Sequence, residues 1–442
     1  MWRLQRVDRE DRTGFHRAEA PEAVSALPKS DLEGDWVMRR ILTTVLACLI
    51  AGIFSFSGMA KAAETIKIGV IDTYSGPASV YSNDVRDGLK LALDEINAKG
   101  GVLGRQIVLV TRDDKFKVDL ALSAAKELIM NENVTILAGT INSGIALAVS
   151  ALAKKEKIPF VVTCSKSAAI TGAKGHRYVF SVNENTAMIG RASAIALAKR
   201  PYVKYWIAGD DYEFGHAMAD EIWSRLQQLK PEVKLMGQSW WKVGEPDFTP
   251  YITSILSAKP DAAILAAGAA SAVPFMKASK TTGFSQQVPY LMNWATELST
   301  LKPLGLNAPE GVLGPSPYFF YYPDIPENKA FAANYKKVYD RLPSASSCAG
   351  YIAGLYIAKA FEKAGAVDRE KFIDALAGLT IDSPVGKVTI REFDHQIMMP
   401  MFVGVTKKMS GYDDFLVAAD IETIPADQAV VPLDEVKKAR EQ

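Results

Sequence analysis

Short apolar runs alternate with amphipathic stretches along this chain, and the alternation predicts strand and helix in turn. Residues 66–73 (IKIGVIDT) read as a buried strand. The helix that follows carries Val85, Leu89, Leu91, Ala92, Leu93 and Ile96 on one face, and it stops at Lys99-Gly100-Gly101 as a helix with a glycine C-cap should. Residues 106–112 (QIVLVTR) are the next strand, 120–130 a helix and 134–139 (VTILAG) a third strand. TINSGIALAVSALAKKE then turns from polar loop into helix, IPFVVT is a fourth strand running into CSKSAAIT, and 178–182 is a fifth. Strands and helices in this order imply parallel pairing with right-handed crossovers.

From Asn183-Glu184-Asn185 the alternation restarts. Helices are expected over 186–198, 213–229, 248–258 and 270–281, and strands over 203–208, 233–240, 262–266 and 289–293. A less regular section follows, with a strand over 311–322 entering the loop PSPYFFYYPDIPE, helices over 328–341, 347–364 and 369–377, and strands over 386–390 and 401–405. Beyond Asp413 the chain reads as a polar wrap. The class is therefore α/β, with two doubly wound, Rossmann-like lobes. One comprises 64–182 plus 295–391, the other 183–294 plus 392–425, and 426–442 is a polar tail. Crossings are expected near 181–184, 293–297 and 391–399. The cleft between such lobes is where a small ligand sits, and hinge closure is its motion.

The first 63 residues do not belong to this pattern. Met38-Arg39-Arg40 is a positively charged start, ILTTVLACLIAGIF an apolar core, and Met59-Ala60-Lys61-Ala62-Ala63 a small-residue cleavage site, which together make 38–63 a signal peptide. Residues 1–37 read as an extension ahead of the true start at Met38, and the expected location of the mature chain is the periplasm. More apolar residues follow Cys48 than precede it within the signal, which argues against a lipid anchor. Cys164 and Cys348 remain, either bonded, as an exported protein permits, or as two buried thiols. Of 51 basic and 50 acidic side chains, residues 1–63 hold nine and eight, leaving 42 of each. That balance gives no electrostatic footprint for nucleic acid.

Candidate chemistry gathers where strands end. In open parallel sheets ligands bind beyond the carboxyl ends of strands, where helix N-termini and short hydroxyl side chains meet. Thr140, Asn142, Ser143, Ser165 and Ser167 all fall there, on two successive loops. Asp113-Asp114 and Asp210-Asp211 are paired acids at strand ends, but neighbours in a strand point to opposite faces, so they read as turn-holding acids. His16, His176, His216 and His395 show no metal spacing, and no P-loop, nucleophile elbow, zinc motif or dinucleotide fingerprint is present. The chain reads as a binder rather than an enzyme, with no cofactor and no metal expected.

The opening block, with its SGP loop, its helix ending EINAKGG and its strand leading to Asp113-Asp114, together with GDDYEFG, resembles the solute-binding proteins of branched-chain amino acid ABC importers. The similarity runs from about residue 64 to about 408. It implies the type I periplasmic binding fold with three hinge strands, a monomer, and delivery of a solute to a membrane permease with ATPase subunits. It also implies site residues: the first-loop aromatic at Tyr81, a hydroxyl at Ser143 beside Asn142, the pair Ser165 and Ser167, and Phe214 within Tyr212-Glu213-Phe214-Gly215. Members that bind amino acids place an acid after AAILAAG to hold the ammonium. Here Gly268, Ala269, Ala270, Ser271 and Ala272 stand in that loop with no carboxylate, which leaves Glu213 or Glu297 as substitutes, or a ligand with no ammonium. A branched-chain amino acid and a related small carboxylate or amide both stay open. Trp294, Tyr318 and Phe319 are expected at the cleft rim, packed on an apolar ligand body. The same fold also serves receptors and regulators, so a ligand-sensing module is the alternative function.

Overall fold

The computed structural model describes residues 64–76 and 78–441. The expected extension 1–37, the expected signal peptide 38–63 and Cys48 lie outside the described residues. Among the described residues no helix is long and apolar enough to cross a membrane.

Five parallel strands make the first sheet: β1 (Ile66–Asp72), β2 (Ile107–Asp113), β3 (Ile136–Gly139), β4 (Phe160–Val162) and β5 (Val179–Ser181), in the order β2-β1-β3-β4-β5. β3 and β4 are buried along their whole length, which is why they are unbroken apolar runs. The second sheet starts the same way, with β6 (Lys204–Asp210), β7 (Lys234–Trp241), β8 (Ala262–Ala266), β9 (Tyr290–Met292) and β10 (Leu313–Ser316) all parallel. A small antiparallel sheet follows, made of β11 (Thr380–Ser383), β12 (Gly386–Ile390) and β13 (Ile397–Met398). β14 (Met401–Lys407) and β15 (Val417–Ile424) then return to the second sheet as antiparallel additions, giving β15-β14-β10-β9-β8-β6-β7. Two doubly wound lobes result.

The late helices rejoin the first lobe by close backbone contact. A Cβ on Gly88 would stand 1.9 Å from the Ser347 carbonyl oxygen, and one on Gly350 2.0 Å from that of Val85. Only glycine lets the helices Ser79–Ala98 and Ala345–Ala364 approach this closely.

Among the described residues the chain crosses between lobes three times: after β5, after β10 and, by way of β13, before β14. The second crossing corrects the sequence expectation. β10 pairs with β9 and β14, so the stretch up to Ser316 lies with the second lobe and not with the 295–391 block of the first. The chain beyond Asp413 is a second correction, since β15 and the helices Ala426–Ala429 and Leu433–Glu441 replace the polar wrap. Gln396 ties the first and third crossings together: its Nε2 donates to the Asn183 carbonyl (2.8 Å), and its Oε1 accepts from Asn185 Nδ2 (3.0 Å) and Thr171 Oγ1 (2.8 Å). Cys164 and Cys348 are buried free thiols, which closes the disulfide alternative.

Candidate functional site

A cavity of about 220 Å³ lies where the carboxyl ends of both sets of parallel strands meet. The first lobe contributes Thr73 and Ser75 after β1, Phe116 after β2, Ile141, Asn142 and Ser143 after β3, and Cys164 and Lys166 after β4. Across from them stand Asp210 at the end of β6, Tyr212 and Phe214 after it, Val243 after β7, Gly268 after β8 and Trp294 after β9.

A buried carboxylate holds the first-lobe loops in place. Asp72 Oδ1 accepts from the backbone N–H of Thr73 (2.9 Å), the hydroxyl of Ser82 (2.7 Å) and the backbone N–H of Ile141 (2.9 Å). Burial pushes its pKa up to about 7 against those hydrogen bonds. Asp114 repeats the device one strand over, accepting from Thr73 Oγ1 (2.6 Å) and the Phe116 N–H (2.8 Å). Asp113 accepts from the N–H groups of Tyr74 and Lys115, both at 2.9 Å. These acids hold turns, as their strand-end positions predict.

Asn142 caps the helix Ser143–Glu156, its Oδ1 accepting from the Ile145 N–H at 3.0 Å. Ser143 is the first residue of that helix, and its hydroxyl oxygen accepts from the Ser167 N–H at 3.3 Å. Beside it Lys166 is buried and paired with Glu184 of the first crossing, with its ammonium 5.0 Å from the centre of the Trp294 ring. Burial is the largest single influence and depresses the Lys166 pKa, but the charge and hydrogen bond of Glu184, with Cys164 and Glu297 nearby, together outweigh it and the net displacement is upward. Asp210 faces the cavity from the second lobe. Its Oδ1 accepts from Trp241 Nε1 (2.7 Å) and Ser271 Oγ (2.5 Å), its Oδ2 accepts from the Gly268 N–H, and burial raises its pKa.

Of the residues named from sequence, Asn142, Ser143, Tyr212, Phe214, Gly268 and Trp294 line the cavity. Tyr81, Ser165, Ser167 and Tyr318 do not. Tyr81 is buried edge-on against Trp294, with ring centres 5.1 Å apart, and supports the indole from behind. Ser165 donates to the Thr140 carbonyl at 2.7 Å and so ties two first-lobe loops. Ser167 donates across the cleft to Glu213. Tyr318 borders two smaller cavities and packs on Phe331, while Phe319 stacks on Tyr321. Neither acid offered as a counter-charge lines the cavity, since Glu213 takes the Ser167 hydroxyl and Glu297 that of Ser316 (2.6 Å). Sequence reasoning passed over Lys166 and gave Asp210 a purely structural role. A lone lysine between two serines at the end of a buried strand was the available signal. Among the described residues no group of three or more His, Cys, Asp or Glu side chains could hold a metal ion.

The profile of the periplasmic binding protein family matches residues 65–411. The chain belongs to that family. Its relatives in the branched-chain amino acid class include a leucine-, isoleucine-, valine-, threonine- and alanine-binding protein of Pseudomonas aeruginosa, 25% identical over 80% of this chain and 92% of the relative. Another is a Leu/Ile/Val-binding protein homologue of Brucella suis, 25% identical over 78% of this chain and 87% of the relative. Among solved structures, an ABC transporter solute-binding protein of Rhodopseudomonas palustris in complex with p-hydroxybenzoic acid superposes with a TM-score of 0.75 at 25% identity, covering 82% of this chain and 98% of that one. A periplasmic binding protein of Burkholderia mallei reaches a TM-score of 0.76 at 23% identity, over 84% and 98% of the two chains. Members of this family bind solutes for ABC transporters, and the cavity of this binding protein occupies the interlobe position that such a task requires.

Proposed function

We propose that this chain is the extracytoplasmic solute-capturing subunit of an ABC importer. It takes up one small solute in the interlobe cleft and hands it to a membrane permease driven by ATPase subunits. It works in the periplasm as a monomer, without cofactor and without catalysis. The solute is a branched-chain amino acid or a related small carboxylate or amide. Its polar head rests near Ser143 and Asn142, and its apolar body lies among Phe116, Tyr212, Phe214 and Trp294. The observation that carries this reading is the cavity itself, bounded by strand-end loops of both sheets and lined mostly by apolar surface, with most of its polar groups on the first lobe and Asp210 on the second. Relatives named for leucine, isoleucine and valine support the amino acid end of that range, and the p-hydroxybenzoic acid complex supports the organic acid end.

A thermal-shift screen of the mature chain against amino acids, their amides and organic acids tests this. A true solute at about 100 times its dissociation constant stabilises the folded state by about 2.7 kcal/mol. Calorimetry on Phe214→Ala with the best solute should then show binding weakened at least about tenfold. An unchanged affinity removes the cleft from the account.

A further inference from the structure

The reading above leaves two ligand chemistries open, and the charges around the cavity separate them. Three charged side chains line it: Lys115, Lys166 and Asp210. Lys166 is buried, so its remaining accessible surface faces the cavity, and Glu184 engages one of the three N–H bonds of its ammonium. The helix Ser143–Glu156 starts at the same wall, where Asn142 and Ser143 line the cavity, so the positive end of its dipole lies beside it. The Ser143 oxygen accepts from Ser167, which leaves its hydroxyl proton as the means of bonding a ligand. This wall is therefore a set of donors.

An α-ammonium needs acceptors, and the cavity has little to offer. Among the described residues Asp210 is the one acid in the lining, and three of its about four acceptor sites are already taken, by Trp241, Ser271 and the Gly268 backbone, so it keeps one at most. Glu184 is turned to Lys166, and Glu297 to Ser316. A zwitterion would have its carboxylate met, but its three ammonium N–H groups would find at most one site on Asp210, and a buried charge so poorly paired is costly.

Resting on the reading of this cleft as a solute site, we infer that the ligand is a small organic carboxylate with an apolar body and no α-ammonium, and that Lys166 imposes this choice. Ser143 and the helix N-terminus share the carboxylate. Trp294, whose ring also faces the Lys166 ammonium, fixes where the apolar body begins.

Matched probes test the inference by calorimetry at neutral pH. These are 4-methylpentanoate, L-leucine, which adds only the ammonium, 4-methylpentanamide, which removes only the charge, and benzoate as a flat carboxylate. Either carboxylate should bind at least about tenfold more tightly than L-leucine and than the amide, as one charge-assisted hydrogen bond implies. Lys166→Met alone strands Glu184, so the second arm is the double variant Lys166→Met with Glu184→Gln, checked by its melting curve. In it the carboxylates should lose at least about tenfold and the amide should change little. L-leucine or the amide binding as tightly as the carboxylates, with that binding lost in Phe214→Ala, would overturn the inference and leave the solute-binding reading standing. Full carboxylate affinity in the folded double variant would remove Lys166 from it. Binding of none of the probes or of the wider screen, or binding indifferent to Phe214, would sink both.

Discussion

Glu297 is a carboxylic acid enclosed on every side, and charging it there is expensive. Burial pushes its pKa from near 4.5 up to about 8, against the opposing Ser316 hydrogen bond and the positive charge of Lys166. Between those values the unfolded chain has released this proton and the folded chain still holds it, so the contribution of Glu297 to stability is full below about 4.5 and falls as pH rises through 8. Glu297→Gln removes that slope. Urea denaturation at pH 5, 7 and 9 should show the variant gaining on the wild type with each step, and two parallel curves would contradict the assignment. His395 acts at the other end of the scale. Stacked on Phe180 at 3.9 Å with Nδ1 donating to the Val179 carbonyl, it is pulled down by burial to about 4. Its contribution is complete above about 6.5 and is lost as pH falls toward 4, because the unfolded imidazole takes up a proton that the folded one refuses. His395→Gln should therefore flatten the acid limb of the same titration while leaving the alkaline limb in place. At this scale the sequence was only partly legible. Strand ends marked the loops that matter, but within CSKSAAIT the alternation of side chains is set by tertiary contacts. Ser165 and Ser167 turn to Thr140 and Glu213, and Lys166, lying between them, turns to the cavity.

Elements were easier to read, because parallel strands buried on both faces announce themselves as unbroken apolar runs and their helices as amphipathic ones. β10 resisted for a physical reason. It is four residues long, with Gly314 and Pro315 inside it, and the aromatic loop behind it looks more strand-like than the strand does, so the second crossing was placed too early. β15 was hidden in the same way by the polar residues on its exposed face. Two contacts between elements yield predictions. The helices Ser79–Ala98 and Ala345–Ala364 meet through glycine, and a Cβ on Gly88 would collide with the Ser347 backbone, which cannot rotate aside. Gly88→Ala should cost about 1–3 kcal/mol, the usual range for overpacking, read as a lower urea midpoint with unchanged slope. The second contact joins the lobes. Ser167, after β4, donates to Glu213, at the start of the helix Glu213–Leu229. That bond spans the two lobes and opening the cleft would break it, so Glu213→Ala should weaken solute binding about two- to tenfold, as a partly exposed hydrogen bond is worth. The unfolding midpoint of the solute-free protein should stay where it is, and a loss of stability without a loss of affinity would make Glu213 a scaffold residue.

At the scale of the whole molecule the question is what three crossings permit. Lobes joined by one strand could swing freely, whereas three side by side confine motion to opening and closing about one axis. Gln396 stiffens this hinge, since one side chain binds the first crossing at Asn183 and Asn185 and the loop after β4 at Thr171. Arg440 reinforces the same region from the last helix, donating to the carbonyls of Thr171 and Gly172 in the first lobe and of Phe393 at the third crossing. These bonds lie beside the axis and need not break when the cleft opens, whereas Ser167–Glu213 and the contacts of a solute bridging Lys166 and Phe214 lie across it and must. The Tyr81–Trp294 and Lys166–Trp294 contacts also join the lobes, and a bound solute adds to this set, because a ligand shifts a two-state equilibrium by its difference in affinity for the two states. Melting temperature and radius of gyration should consequently respond together. As the best solute is titrated, the first should rise and the second fall over one concentration range, with a common midpoint. Gln396→Ala should loosen the axis and leave the solute-free molecule with a larger radius of gyration. It should still close on saturation, at a solute concentration raised by the cost of ordering the hinge. If the melting temperature rises while the radius stays fixed in both proteins, the solute is entering a rigid body, and the crossings are struts rather than a hinge.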